Sequence, residues 1–403
     1  MNSLATTLKK KSLPLGVKPI LTLLDRMTVG TLQLITPEGE TLTFGSGCKP
    51  YATLELYSWK ALKTIFRKGD VGLAEAYRDG LVSCDDLTAL ARLGIANQKV
   101  LNKAVHGSAM MRLAYRLRHL LNINTRRGSK RNIQAHYDLG NDFYSLWLDE
   151  TMTYSSALFK KGSEEDLATA QTAKYQRILG LTGAQAGDTI LEIGCGWGGF
   201  AEHAAGQGIK VYGVTLSHEQ LDYARERVQS AGLSELASFE LRDYRDLQGQ
   251  FDHIVSIEMI EAVGERYWNS YFQQIKRLLK PTGNAVIQSI TIDDRHFENY
   301  RNGSDFIQQY IFPGGMLPSP QRLANLVLEN NMHFETMHGF GRDYAETLRR
   351  WRAAFELQLQ RIQRRGFDEE FIRLWRFYLS YCEAAFDEEQ IDVVHLTFNH
   401  GMQ

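Results

Sequence analysis

The stretch Thr189-Ile-Leu-Glu-Ile-Gly-Cys-Gly-Trp-Gly-Gly-Phe200 sets an acidic residue and alternating glycines at the end of an apolar run. Ile190, Leu191 and Ile193 read as a buried parallel strand, and Gly194, Gly196 and Gly198 remove the Cβ atoms that would keep the backbone away from a ligand. A helix starting near Gly199 would aim its amino end at that ligand. The spacing differs from the G-x-G-x-x-G pyrophosphate fingerprint, and Glu192 comes before the glycines. That order suits S-adenosylmethionine, whose cationic amino end can meet Glu192, better than a dinucleotide. An ordinary strand-to-helix turn carries similar glycines, so a cofactor site also requires polar ligands at the ends of the neighbouring strands.

Val211-Tyr-Gly-Val-Thr-Leu-Ser-His-Glu-Gln220 is a second strand ending in a polar cluster, at the distance where α/β sites place ribose ligands. Thr215 and Gln220 are the hydroxyl and amide expected there. In Leu241-Arg-Asp-Tyr-Arg-Asp246, Asp243 is expected at the adenine amino group and Tyr244 at the adenine face. The strand Phe251–Ile257 runs straight into Glu258-Met-Ile-Glu261, and Lys280-Pro-Thr-Gly-Asn284 turns into Ala285–Ile290.

These residues need strands that alternate with helices. The pattern predicts an α/β fold, an open and mostly parallel Rossmann-like sheet of the class I S-adenosylmethionine-dependent methyltransferase type, with its site at the strand carboxyl ends. The length of 403 residues accommodates a second, smaller domain of mixed α+β character. Residues 1–121 are expected to form that domain, 122–131 a basic linker and 132–403 the catalytic domain. In the first part, a helix around Lys18–Met27 precedes a hairpin of Gly30–Thr36 and Glu40–Phe44 around Pro37–Gly39. Helices are expected at Tyr57–Arg67, Gly69–Asp79, Asp85–Asn97 and Ala109–Leu121. The last mixes arginines with large apolar groups, as would a helix at a lipid interface or one packed on the sheet with its arginines outside.

The net charge of -1 conceals an asymmetry: residues 1–130 hold 20 Lys and Arg against 9 Asp and Glu, and the remainder 26 against 38. A basic amino-terminal part implies an anionic partner, nucleic acid or an anionic membrane surface, unless it is merely a solvated face. No apolar run approaches the ~20 residues of a membrane span, and the first residues lack the order of a signal peptide, so a cytoplasmic location is expected. Cys48, Cys84, Cys195 and Cys382 lack the spacing of a zinc site or a disulfide framework.

The segment His136-Tyr-Asp-Leu-Gly-Asn-Asp-Phe-Tyr144, followed by Trp147, Leu148 and Met152-Thr-Tyr-Ser-Ser-Ala-Leu-Phe159, completes a set of motifs. With the loops above, it resembles the cyclopropane-fatty-acid synthase family, including the mycolic acid methyltransferases, densely over residues 131–350. The resemblance implies methyl transfer from S-adenosylmethionine to a cis double bond of an acyl chain in a membrane phospholipid. A carbocation results, from which a bound bicarbonate removes a proton. It also implies that Tyr137, Tyr154 and Ser155 join Glu192, Gly194, Gly196, Thr215, Gln220, Asp243 and Tyr244 around the cofactor. The implied partner is an anionic phospholipid bilayer with unsaturated chains at the inner membrane face, not nucleic acid, and members of the family are often homodimers.

The bicarbonate pocket departs from the family pattern. Members supply a Cys, a Glu, a His, the amide of an Ile, and a Tyr. Here Ser156 replaces the Cys and Gln288 the His, while Glu261, Ile290 and Tyr344 match, and Glu258 stands three residues before Glu261 where a small residue is usual. At that spacing Glu258 and Glu261 could share one pocket, where like charges raise at least one pKa and repel bicarbonate. The pocket can be read in two ways. Either Glu258, steadied by Ser156 and Gln288, replaces bicarbonate as the general base, or Ser156 and Gln288 still hold bicarbonate through hydrogen bonds. Which proton leaves decides between a cyclopropane and an alkene such as a methylene-branched chain.

Ile292–Pro320 reads as a lid whose aromatics line an acyl channel or pack over the sheet. The amphipathic Tyr344–Arg365 helix, with Trp351, Phe355 and Leu359 on one face, closes that channel or belongs to the core. A soluble amine N-methyltransferase and a catalytically silent lipid-binding protein are the alternative functions.

Overall fold

A computed structural model describes residues 13–101, 139–160 and 164–401. Two sheets organise them. The larger has seven strands: β5 (Thr189–Ile193), β6 (Lys210–Thr215), β7 (Ala237–Leu241), β8 (His253–Ile257), β9 (Asn284–Ile292), β10 (His333–Gly339) and β11 (Ile391–Asn399). Their order is β10-β11-β9-β8-β5-β6-β7. The five strands from β9 to β7 pair in parallel, and β11 runs antiparallel to both its neighbours. The central strands β5 and β8 are buried on both faces, which is why apolar residues occupy successive positions at Ile190 and Leu191 and at Ile254 and Val255, with Glu192 the charged exception in β5.

The chain steps outward from β5 to β7 and then returns to place β8 beside β5. Crossover helices on the two sides therefore diverge at the β5 and β8 carboxyl ends, opening a crevice there. Helix starts are specified by side-chain caps: Asp166 for Leu167–Thr182, Ser217 for His218–Ser230, and Asp368 for Glu369–Asp387.

The smaller sheet contains β1 (Thr31–Ile35), β2 (Thr41–Gly45), β3 (Tyr51–Leu56) and β4 (Val82–Cys84) in the order β2-β1-β3-β4. The expected hairpin is β1 and β2, paired antiparallel. The strand β3, parallel to β1, was not expected, although Ala52, Leu54 and Leu56 carry the alternation of a half-buried strand. The expected helices occur at Val17–Leu24, Trp59–Lys68, Asp70–Arg78 and Leu87–Ala96. The Ala109–Leu121 helix and the 122–131 linker lie outside the described residues.

The two sheets share one apolar cluster. It runs from Leu32, Leu54 and Leu90 through Phe377 and Phe386 to Trp147 and Trp351. Polar ties reinforce it: Thr88 and Arg352 both donate to Glu383, and the Tyr381 hydroxyl donates to Asp70. The Ile292–Pro320 segment holds a helix at Asp294–Arg301 and a π-helical turn at Ile307–Ile311. Phe306 is fully buried against Phe377 and Tyr381, and Trp351 and Phe355 are fully buried too. Those aromatics pack in the core.

Candidate functional site

One cavity opens at the carboxyl ends of β5, β6 and β8. Its walls contain Tyr154, Ser155, Glu192, Gly194, Gly196, Thr215, Gln220, Asp243 and Tyr244, and also Glu258. Residues far apart in sequence thus meet at one crevice. Tyr137 lies outside the described residues.

Gly194, Gly196 and Gly198 all have positive φ. Gly194 has φ 82°, and a Cβ there would meet the Met259 side chain at 3.0 Å. Glu192 is 2% exposed, and its Oε2 has no hydrogen-bond partner. Burial pushes its carboxyl well above the usual carboxylate range, against the pull of Lys174 and Arg227. An orphaned, buried acceptor on a cavity wall fits a cationic amino group, which would supply both the missing donor and the missing charge. Thr215 Oγ1 donates to Gln220 Oε1 at 3.0 Å, so the expected ribose pair forms one unit. Asp243 caps the turn Tyr244–Asp246 and is ion-paired to Arg245 at 2.6 Å, an arrangement the sequence did not suggest. The residues present fit S-adenosylmethionine: Glu192 could hold the amino end, Thr215 and Gln220 the ribose, and Asp243 and Tyr244 the adenine.

Glu258 follows β8 directly and has φ 49°, a left-handed conformation that is rare for a residue with a side chain. This bend turns the carboxylate back toward the sheet. Glu258 Oε1 accepts from the Ser156 amide at 2.9 Å and from Gln288 Nε2 at 2.8 Å, and Oε2 accepts from the Tyr344 hydroxyl at 2.6 Å. Desolvation raises its pKa, while Tyr344, Ser156, Gln288 and Lys174 favour the charged form. Ser156 and Gln288, the two replacements in the family pattern, therefore both touch the added carboxylate.

Glu261 is placed differently from the expectation that the two acids point into one pocket. Glu261 does not line the cavity; its Oε1 accepts from the Ile290 amide at 2.6 Å and from Ser289 Oγ at 3.0 Å. Desolvation, and then the neighbouring Glu258, push its pKa up to about 8, so the carboxyl is protonated at neutral pH. The expectation that like charges raise one pKa holds, but through protein rather than across a shared cavity. Ile290 gives its amide to Glu261.

Sheet register builds the surroundings. Gln288 on β9 lies opposite Ile257 on β8 and His395 on β11. The Gln288 amide oxygen meets His395 Nε2 at 2.8 Å, and Arg177 Nε donates to His395 Nδ1 at 3.1 Å. Sequence reasoning missed His395 and Arg177. It also missed Lys174, which is fully buried and donates to Ser155 Oγ at 2.8 Å. A signal existed: Gln171 and Lys174 interrupt the otherwise apolar buried face of Leu167–Thr182.

Comparison with known proteins agrees with this geometry. Residues 124–396 match the family described as mycolic acid cyclopropane synthetase. The tuberculostearic acid methyltransferase of Mycobacterium tuberculosis is 38% identical over 343 residues, 83% of this chain and 80% of that protein. The cyclopropane-fatty-acyl-phospholipid synthase of Escherichia coli is 35% identical over 348 residues, 85% of this chain and 86% of that protein. Among solved structures, a mycolic acid cyclopropane synthase complexed with S-adenosylhomocysteine and CTAB superposes with TM-score 0.62 at 32% identity, covering 67% of this chain and 97% of the other. The chain belongs to the mycolic acid cyclopropane synthetase family and is an S-adenosylmethionine-dependent methyltransferase of the cyclopropane-fatty-acyl-phospholipid synthase type.

Proposed function

We propose that this methyltransferase acts on the cis double bond of an unsaturated acyl chain in a membrane phospholipid, and that Glu258 is the general base in place of bicarbonate. The observation that carries this reading is the Glu258 carboxylate itself. It accepts hydrogen bonds from Ser156, Gln288 and Tyr344, three positions that the family resemblance assigns to the bicarbonate pocket. Bicarbonate and a carboxylate present the same pair of oxygens on a planar carbon, so one takes up the donors that the other would need. Glu258 also lines the cofactor cavity, which puts it next to the place where the new methyl must form.

S-adenosylmethionine, which Glu192, Thr215, Gln220, Asp243 and Tyr244 would hold, would supply an electrophilic methyl group, with the S–C bond pair left on sulfur. The alkene π pair forms the new C–C bond and leaves a cation on the adjoining chain carbon. Glu258 then takes a proton from the new methyl, and the freed C–H pair closes the cyclopropane. If a hydride first moves from the methylated carbon to the cationic one, the same proton loss leaves a methylene branch. A base partly desolvated and held by three donors is fixed in place for either outcome.

Membrane contact is supported by the amino-terminal helix Val17–Leu24. Lys18 and Arg26 are exposed there beside Leu15, which is 95% exposed. The proposed location is peripheral, at the inner, cytoplasmic membrane face.

The test combines purified protein, S-adenosylmethionine and vesicles of unsaturated anionic phospholipid, with fatty acids resolved by position-sensitive mass spectrometry. The wild type is expected to turn over without bicarbonate. Glu258→Gln is expected to lose about 10²–10⁴-fold in kcat, the usual span for a general base, without rescue by bicarbonate. Full turnover by Glu258→Gln combined with a bicarbonate requirement in the wild type would overturn the base assignment. Methylation of a soluble amine in the absence of lipid would overturn the substrate assignment.

A further inference from the structure

Three polar residues one turn apart, Gln171, Lys174 and Arg177, lie along the helix Leu167–Thr182 and face the sheet. Gln171 Nε2 donates to the Ser155 carbonyl at 2.9 Å, and Lys174 Nζ donates to the Ser155 hydroxyl at 2.8 Å. Ser155 is thereby gripped at side chain and backbone, which fixes the next amide, that of Ser156, on Glu258. Arg177 reaches the other side of the same carboxylate oxygen through His395 and Gln288. One helix face thus holds both donors of Glu258 Oε1.

Lys174 stands out within this stripe. A fully buried ammonium is costly unless nearby charges compensate it. Its ring contact is with Tyr175, 4.3 Å from Nζ to the centroid. Burial drives its pKa down to about 7, and Glu258, then Asp149 and Glu192, hold it up, so its ammonium form at neutral pH depends on these carboxylates. Lys174 is in turn the main cation favouring ionised Glu192, ahead of Arg227, and the cation favouring ionised Glu258. Glu261 and Tyr344 complete the titratable neighbours of Glu258, and both carry raised pKa values. His395 is kept neutral by burial and by the charges of Arg177 and Lys174.

We propose that Lys174 is a positioning residue for this reaction: it sets a buried cation in the cluster around Glu258, while its bond to Ser155 aims the Ser156 amide at that carboxylate. The proposal rests on Glu258 being the base. No reacting atom needs to touch Lys174, and its effect reaches the chemistry through the protonation state of its neighbour.

The pH dependence of kcat separates this role from packing. Lys174→Met and Lys174→Gln both remove the charge, and Gln can still donate to Ser155, so either variant carries the test if the other fails to fold. Both are expected to move the acid limb of the kcat profile upward by about one pH unit, the low end of the effect of an opposite charge a few Å away. Gln171→Leu loosens Ser155 and the Ser156 amide without removing the charge, and is expected to lower kcat with a smaller movement of the limb than either Lys174 variant gives. An unmoved limb in both Lys174 variants overturns the proposal, as does an equal shift in Gln171→Leu. Glu258→Gln, run in parallel, tells the two readings apart. If it keeps turnover and the acid limb, the base assignment has failed; if it loses both while the Lys174 variants keep the wild-type limb, only the role of Lys174 has failed.

Discussion

Gln288 is held between His395 and Glu258 by two hydrogen bonds of 2.8 Å each, so its amide has a single orientation. Arg177 donates to His395 Nδ1, which leaves Nε2 as the protonated nitrogen and makes it the donor to the Gln288 oxygen. The Gln288 amino group must then face Glu258. A neutral histidine two strands away thereby sets the polarity of a donor at the proposed base.

Replacing Gln288 by Leu removes a donor to a charged acceptor, worth about 1.5–3 kcal/mol. The expected result is a fall of about 10–100-fold in kcat, with the KM for S-adenosylmethionine within a factor of two. Gln288→Glu, which sets a second acid against Glu258, is expected to be worse. Steady-state kinetics on lipid vesicles check both; a large rise in cofactor KM would mean that the relay serves the cofactor instead.

Glu192 offers a separate handle on the cofactor. With Oε2 unpartnered and its pKa raised by burial, the carboxyl must ionise to receive an ammonium group. Affinity for S-adenosylhomocysteine should therefore rise with pH as this carboxyl ionises, above the usual carboxylate range, with proton release on binding. Glu192→Gln should bind about 10–100-fold more weakly, the loss expected for a charge-assisted bond, and lose most of the pH dependence. Calorimetry in buffers of different ionisation enthalpy measures both quantities.

Glu261 makes a prediction about stability. Its folded pKa of about 8 lies above the ordinary 4.5, so the unfolded chain releases this proton at lower pH than the folded protein does. The stability that the protonated carboxyl contributes is complete below about pH 4.5 and is lost as pH rises toward about 8, where the slope ends. Glu261→Gln keeps an acceptor for Ile290 and Ser289 and has no proton to lose. Its stability should gain on that of the wild type between pH 5 and 8, by on the order of a few kcal/mol. Urea melts across this range test the sign; parallel curves would place Glu261 in its charged form.

The cofactor half of the site was legible because it is local. Strand, glycine turn and helix start are consecutive in Thr189–Phe200, and apolar periodicity with φ-permissive glycines encodes such a unit directly. Thr215 and Gln220 were legible for the same reason, since a helix cap lies between them at Ser217. The motif match also identified Ser156, Gln288 and Glu258 as departures, with the first two expected to steady the third, and the structure supplies the bonds, from the Ser156 amide and from Gln288 Nε2.

The outer neighbours of Glu258 were not legible. Lys174, Arg177 and His395 carry no motif, and their meaning arises from packing one helix across β8, β9 and β11. Likewise, Glu258 and Glu261 are three residues apart, yet Glu258 lines the cavity while Glu261 is bonded to Ser289 and Ile290 on β9. Sequence by itself determined the parallel sheet, the glycine loop and the family, because these arise from periodicity and short-range spacing. Only the tertiary structure decided the environment of each carboxyl, because desolvation and through-space charge depend on neighbours that the chain brings together from distant positions, as Ser156 and Tyr344 are brought to Glu258.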